Sequence, residues 1–240
     1  MKRQLSLNRI RTQLTGLERM MRTLRAEVET HISAFSPTDI NSVTEVRTGL
    51  AELFASGTAM PAISAQPYQH FCPGVWVGID QEVGDCGAAV TLKTLHQHEP
   101  LDGVARMARL SINPVFPLIE KPRWVTLESA VDIEALRAAK GLRLDIISFF
   151  DIAPHNTAQI PRHITVTLRL RRRDGAQSDH LDYRVPVSTM PFEHSMIVAE
   201  SGMGELPLAE AVKAELIIAL PLAGEFTLNV DHFSLKGIGA

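Results

Sequence analysis

From His163 to Arg173 the sequence alternates without a break, with Ile164, Val166, Leu168 and Leu170 in one phase and Thr165, Thr167, Arg169, Arg171 and Arg173 in the other. Successive side chains of a β-strand project to opposite faces, so this run has one buried side and one wet side. A helix would scatter the same residues around its whole circumference. Asp174-Gly175 then supplies turn chemistry, and Leu181 to Val187 returns with Tyr183, Val185 and Val187 in the apolar phase. Together they predict a β-hairpin, which commits this part of the chain to an antiparallel sheet.

Other short runs carry the same period. Val75 to Ile79 alternates, and Trp124 to Val131 places Val125, Leu127 and Val131 in phase. Further strands are expected at Leu142–Phe150, Phe192–Ala199, Ala214–Leu220 and Phe226–Leu235. Competing helical signals occur only at Ile133–Lys140 and Leu206–Lys213, so strands are not interleaved with crossover helices. The fold expected over residues 71–240 is therefore an antiparallel β-sandwich of jelly-roll type, in a mainly β chain. With 240 residues and 45% hydrophobic content, the chain can furnish such a core.

The N-terminal residues have a different period. Leu7, Ile10, Leu14, Leu17, Met21, Leu24 and Val28 step by three and four, and His31 continues the pattern. That is a coiled-coil seam, narrower than the apolar stripe of a helix packed on its own body, and it predicts a homo-oligomer formed through residues 7–31. Gly16 inside the pattern weakens the isolated helix. A second helix is expected after Ser36-Pro37, carrying Ile40, Val43, Val46, Leu50, Leu53 and Phe54 and stopping near Gly57. The resulting organisation is a helical oligomerisation segment over 1–57, a linker over 58–70 rich in Ala, Ser and Pro, and the sandwich over 71–240.

The net charge of −3 divides into +4 through Ser36 and −7 beyond it. A basic head can meet an acidic partner, although a solvated helix face accounts for it equally well. Cys72 and Cys86 lack metal-site spacing and are expected as free thiols. No apolar stretch approaches the roughly 18 residues of a transmembrane helix, and the opening MKRQLSLNRIRTQL has no signal-peptide core. The expected location is the cytoplasm or a particle assembled there.

The strands from Arg123 onward, ending in Gly224-Glu225-Phe226-Thr227-Leu228-Asn229-Val230-Asp231-His232-Phe233-Ser234-Leu235, resemble the jelly-roll sandwich of carbohydrate-binding modules. The resemblance covers about half the chain and implies a non-catalytic, glycan-recognising domain. It also implies Asp231 as a ligand of a structural calcium. Sugar recognition needs exposed aromatic faces with polar groups beside them. Trp124 and Trp76 are out of phase with their apolar neighbours, and Trp124 shares its face with Thr126 and Glu128. Both tryptophans are thus candidate platforms, unless the neck or a neighbouring subunit covers them. Arg169 and Arg171 offer guanidinium forks to a ligand, or pair across strands with residues such as Asp182. The ligand-binding candidates are Trp124, Glu128, Arg169, Arg171 and Trp76.

His96 and His98 share a strand face and resemble the two-histidine strand motif of cupins, although no third ligand is specified. Ser195 and Ser201 do not sit in a nucleophile elbow, and no phosphate-binding or dinucleotide fingerprint is present. Nucleic-acid binding is not expected, because the arginine row lacks interleaved aromatics. The leading expectation is a non-catalytic oligomeric protein whose sandwich recognises a glycan or cell-envelope component. The rivals are a structural or assembly subunit with no small ligand, and a metal-dependent jelly-roll enzyme using His96 and His98.

Overall fold

Two antiparallel sheets face each other across one hydrophobic core. The computed structural model describes residues 43–56, 60–80, 89–96, 108–115, 122–152, 161–222 and 225–239. Their strands are β1 (Val43–Glu45), β2 (Met60–Ala65), β3 (His70–Cys72), β4 (Val75–Ile79), β5 (Ala89–His96), β6 (Ala108–Val115) and β7 (Val125–Val131). They continue with β8 (Gly141–Ile152), β9 (His163–Arg172), β10 (Gln177–Pro186), β11 (Phe192–Val198), β12 (Ala211–Ala219) and β13 (Phe226–Ile238). One sheet has the order β11-β8-β13-β6-β5-β2, with β1 also paired to β13, and the other has the order β10-β9-β12-β7-β4-β3. These will be called the seven-stranded and six-stranded sheets.

The alternation that predicts β9 is also its burial pattern. Ile164, Val166, Leu168 and Leu170 are buried, and the residues between them are not. Across the sandwich they meet a core that includes Leu110, Ile112, Leu144, Ile146, Leu228 and Val230. Each fully buried Leu, Ile or Val contributes about 1.5–3 kcal/mol. The β9–β10 turn forms where expected: Gly175 takes a φ of 85°, and the Asp174 carboxylate accepts from the Ala176 N–H at 2.9 Å. The hairpin returns earlier than the sequence suggests, from Gln177, with a bulge between His180 and Tyr183.

Three helices accompany the sheets among the described residues: α1 (Gly49–Ser56), α2 (Ile133–Ala138) and α3 (Glu200–Gly204). In α2 the Asp132 carboxylate caps the N–H groups of Glu134 and Ala135. In α1 the Thr48 hydroxyl accepts from the Ala51 N–H at 3.0 Å, while Leu50, Leu53 and Phe54 enter the core. Of the expected second helix, residues 36–42 lie outside the described residues, and among the described ones only Gly49–Ser56 is helical. Val43–Glu45 is instead a strand paired with Lys236–Ile238 of β13, because its β-branched residues complete a sheet edge. Val46 and Leu50 keep a helical spacing only because a strand end and a helix start happen to bury both in the same core.

The segment read as a linker contains β2, which pairs with β5, and the first residue of β3, which pairs with β4. Leu206–Lys213 does not form a helix: α3 precedes it and β12 begins at Ala211. The coiled-coil seam of residues 7–31, Cys86 and His98 lie outside the described residues. No helix among the described residues is long and apolar enough to cross a membrane.

Candidate functional site on the six-stranded sheet

Strand register decides which side chains share the outer face of this sheet. Trp76, Glu128, Ile217 and Thr167 form one cross-strand row over β4, β7, β12 and β9. Ala130, Glu215, Arg169 and Asp179 form the next, reaching β10. All five residues nominated from sequence therefore belong to one face, with Arg169 two strands, or roughly 10 Å, from Glu128. Their environments differ sharply.

Trp76 is only 8% exposed, so it is not a platform. Its indole Nε1–H donates to Glu128 Oε2 at 2.8 Å, and the Thr126 hydroxyl donates to Glu128 Oε1 at 2.7 Å. Glu128 is itself buried. The sequence placed both residues on the correct face, but the carboxylate holds the indole and the threonine instead of facing outward. The His70 ring lies against Trp76, with centroids 5.0 Å apart.

Trp124 is different. It is 39% exposed, at the entrance to β7, and its ring passes over Gly78. A Cβ at Gly78 would press on the Glu128 and Thr126 oxygens and lie 3.1 Å from the Trp124 ring, so only glycine lets the indole settle there. Its backbone is fixed by Asp80, whose N–H donates to the Trp124 carbonyl at 3.2 Å and whose carboxylate accepts from the Arg123 N–H at 3.0 Å.

Tyr68 meets Trp124 edge to face, with ring centroids 6.4 Å apart and planes at 65°. It is 45% exposed and adopts a left-handed φ of 58°, a conformation that costs a non-glycine residue about 1–2 kcal/mol. Its N–H is tied to the Val77 carbonyl at 2.8 Å, which holds the turn in place. Burial, followed by the nearby Glu128 carboxylate, raises the Tyr68 pKa above its ordinary value, so the phenol keeps its proton as a donor. The two rings form an open corner with two exposed faces. Tyr68 was not found by reading the sequence, because it falls in the segment taken for a linker.

The arginines are paired in the plane of the sheet. Arg169 donates Nε–H and Nη2–H to both oxygens of Asp179 at 2.7 and 2.8 Å, and Arg171 donates to Glu215 at 3.0 Å. The Arg169 hydrogen bonds hold the Asp179 carboxyl below its usual range. The expected partner Asp182 falls inside the bulge between His180 and Tyr183, whereas the register running from the β9–β10 turn sets Asp179 opposite Arg169.

Of the proposed metal ligands, only Asp231 has a described side-chain environment. Both Asp231 oxygens accept from the Arg109 guanidinium, at 2.6 and 3.1 Å, so a fixed cation occupies the carboxylate that calcium would require. Asp231 consequently does not fit a calcium ligand. His96 ends β5, and its partner His98 is not among the described residues. No three His, Cys, Asp or Glu side chains cluster in metal-binding fashion among the described residues. Cys72 is half-buried, and burial pushes its thiol up to about 11, which suits an inert packing residue.

No family model matches the chain, and no curated protein matches it. Solved structures do. A CBM4 structure superposes with a TM-score of 0.49 at 14% identity, covering 76% of this chain and 97% of that one. The CBM22-1 xylan-binding domain of Paenibacillus barcinonensis Xyn10C gives 0.45 at 8%, covering 77% and 97%. The N-terminal cellulose-binding domain of Cellulomonas fimi β-1,4-glucanase C gives 0.41 at 12%, covering 72% and 97%. These neighbours are carbohydrate-binding modules. The likeness is one of fold: two antiparallel sheets in a sandwich.

Proposed function

We propose that the protein is a non-catalytic glycan-binding protein that uses the Trp124–Tyr68 corner of the six-stranded sheet. The observation that carries this reading is the pair of uncovered rings, 39% and 45% exposed, set beside a face of hydrogen-bonding side chains. A pyranose presents an apolar C–H face that stacks on an indole, and its equatorial hydroxyls reach donors and acceptors at the ring's edge. Here the Tyr68 hydroxyl, Thr167 and the Arg169–Asp179 pair supply them. Glu128 and Trp76 act one layer below, as the floor on which Trp124 rests.

The arrangement supports binding without chemistry. The Glu128, Asp179 and Glu215 carboxylates are engaged by indole, hydroxyl or guanidinium donors. Self-association through residues 7–31 would multiply a weak single-site affinity through effective concentration. A cell-envelope glycan as the target, and a cytoplasmic or particle-borne location, complete the proposal.

The test is binding to a panel of neutral and acidic glycans, measured by calorimetry on wild type and Trp124→Ala. Loss of one aromatic stack is worth about 1–3 kcal/mol, or roughly 5- to 150-fold in affinity. Binding that disappears in Trp124→Ala with an unchanged circular-dichroism spectrum supports the reading. Silence of the wild type across the panel refutes it and leaves the assembly role.

A further inference from the structure

Successive cross-strand rows on the outer face of the six-stranded sheet differ in what they leave pointing outward. In the row of Trp76, Glu128, Ile217 and Thr167, the carboxylate is taken up by the indole and by Thr126. In the row of Glu215, Arg169 and Asp179, both carboxylates are engaged by guanidinium groups. The row beyond it, Lys213, Arg171 and Gln177, holds two cations and no carboxylate. It lies two residues, or roughly 7 Å, further along β9.

The described carboxylates around this row are already engaged. Asp132, just past the end of β7, accepts from the Glu134 and Ala135 N–H groups at 3.0 and 3.2 Å. Asp174 accepts from the Ala176 N–H in the turn, and Glu210 accepts from Arg172 at 3.1 Å. Glu215 takes only the Nε–H of Arg171, at 3.0 Å. A guanidinium has five N–H groups, so both Nη groups of Arg171 are without a partner among the described residues, as is the exposed Lys213 ammonium. The Arg171 side chain is 40% exposed. Two cationic donors therefore face outward here, in a stretch of chain that sums to −7 beyond Ser36. Burial and the Glu128 carboxylate raise the Tyr68 pKa, while Arg169 and Arg171 pull it the other way, so both guanidinium groups are within electrostatic reach of the phenol at the aromatic corner.

We propose that this face takes an acidic oligosaccharide, with a uronate carboxylate seated on the Arg171 Nη groups and Lys213 while another sugar ring of the same ligand stacks on the Trp124–Tyr68 corner. The inference rests on the glycan reading above and narrows it to one ligand class. A carboxylate only accepts hydrogen bonds and matches the planar fork of a guanidinium. A neutral sugar brings hydroxyl donors as well, and the acceptors that would receive them, Asp179 and Glu215, are held by arginines in the plane of the sheet. Asp179 also sets a boundary: its charge repels an anion placed on the Arg169 row and directs it to the row beyond. The Arg171–Glu215 bond stays intact, because the ligand uses different N–H groups.

Calorimetry on the full chain compares oligogalacturonate and oligomannuronate, each with its methyl ester, which keeps the sugar backbone and removes the charge. Wild type is expected to bind at least one acid about three- to tenfold more tightly than its ester, the worth of one or two exposed ion pairs. Added salt narrows that margin by screening. Lys213→Glu and Arg171→Gln are each expected to erase it, whereas Trp124→Ala weakens acid and ester alike. Circular dichroism monitors folding, and Lys213→Glu, at an exposed position, keeps the test valid should Arg171→Gln, which deprives Glu215 of its donor, unfold. Equal affinity for acid and ester, or a margin unchanged by Lys213→Glu, overturns the inference and leaves the glycan reading standing. So does a wild type that binds only neutral glycans. Silence toward every acidic and neutral glycan overturns both.

Discussion

Glu128 allows the logic of the site's floor to be tested quantitatively, because its two partners respond differently to its removal. The indole N–H of Trp76 is a donor only, whereas the Thr126 hydroxyl can donate or accept. In Glu128→Ala the buried Trp76 N–H loses its acceptor, which costs about 1–3 kcal/mol. The one deleted methylene removes roughly 0.8 kcal/mol of burial. The sum is about 2–4 kcal/mol. In Glu128→Gln the amide oxygen still accepts from Trp76, and the amide N–H donates to a Thr126 hydroxyl that has turned round. Only the extra strength of a charged acceptor is lost, about 1 kcal/mol. With a urea slope of about 2.5 kcal/mol/M, the midpoints fall by roughly 0.8–1.6 M for alanine and about 0.4 M for glutamine. Equilibrium unfolding followed by tryptophan fluorescence measures both shifts. If the two variants lie within about 0.5 kcal/mol of each other, the carboxylate is not the acceptor that holds the indole, and the account of the floor is wrong.

Other consequences follow from close packing and burial. A Cβ at Gly49 would collide with the Gly74 carbonyl, which cannot move because it accepts from the Ala130 N–H at 2.8 Å. Gly49→Ala is expected to lose about 3 kcal/mol or more, whereas Gly204→Ala, with nothing within 4 Å, stays neutral or gains up to about 1 kcal/mol; paired thermal melts compare them. His194 has a buried Nε2 with no hydrogen-bond partner among the described residues, and burial lowers its pKa below the ordinary 6.5. The unfolded chain therefore takes up this proton first on acidification. The stability that neutral His194 contributes is complete above pH 6.5 and declines as pH falls toward the folded value. His194→Phe, set against the Tyr183 and Phe192 rings already beside it, should flatten that part of a stability–pH profile; an unchanged slope would show that other groups set it.

The parts legible in the sequence are those where one strand carries its own evidence. The alternation of β9 announces both its buried face and its outer arginines, and Trp76, Trp124 and Glu128 fall on the expected face because parity alone decides it. Whether such a residue is exposed depends on what crosses above it, which no local pattern encodes. Trp76 is covered and Trp124 is not, although both stand out of phase with apolar neighbours. Tyr68 is hidden for the same reason, since its partner lies 56 positions away and its left-handed backbone has no glycine to signal it. The partner of Arg169 depends on the register that the β9–β10 turn sets, which alternation does not show. The strand Val43–Glu45 is likewise determined by distant residues of β13.

The two outer faces of the sandwich explain why recognition is assigned to only one of them. The seven-stranded sheet also presents polar side chains, but they close on one another: Ser111 donates to Asn229, Asn229 to Asp151, and Arg109 to Asp231. On that outer face Phe149 is buried, with the Arg109 guanidinium 4.7 Å above the ring. A sugar would have to displace that cation from both the ring and the carboxylate before it could stack, losing a paired charge to gain one contact. On the six-stranded sheet the Arg169–Asp179 and Arg171–Glu215 pairs share the outer face with Trp124, whose ring is 39% exposed, so stacking there need not break a cation–carboxylate pair. The same reasoning identifies the variant that would transfer the property: Arg109→Ala should uncover Phe149, yet it leaves Asp231 buried without its guanidinium. It is expected to destabilise the fold before it creates a second platform, and a stable Arg109→Ala protein that acquires glycan affinity would contradict this division of labour.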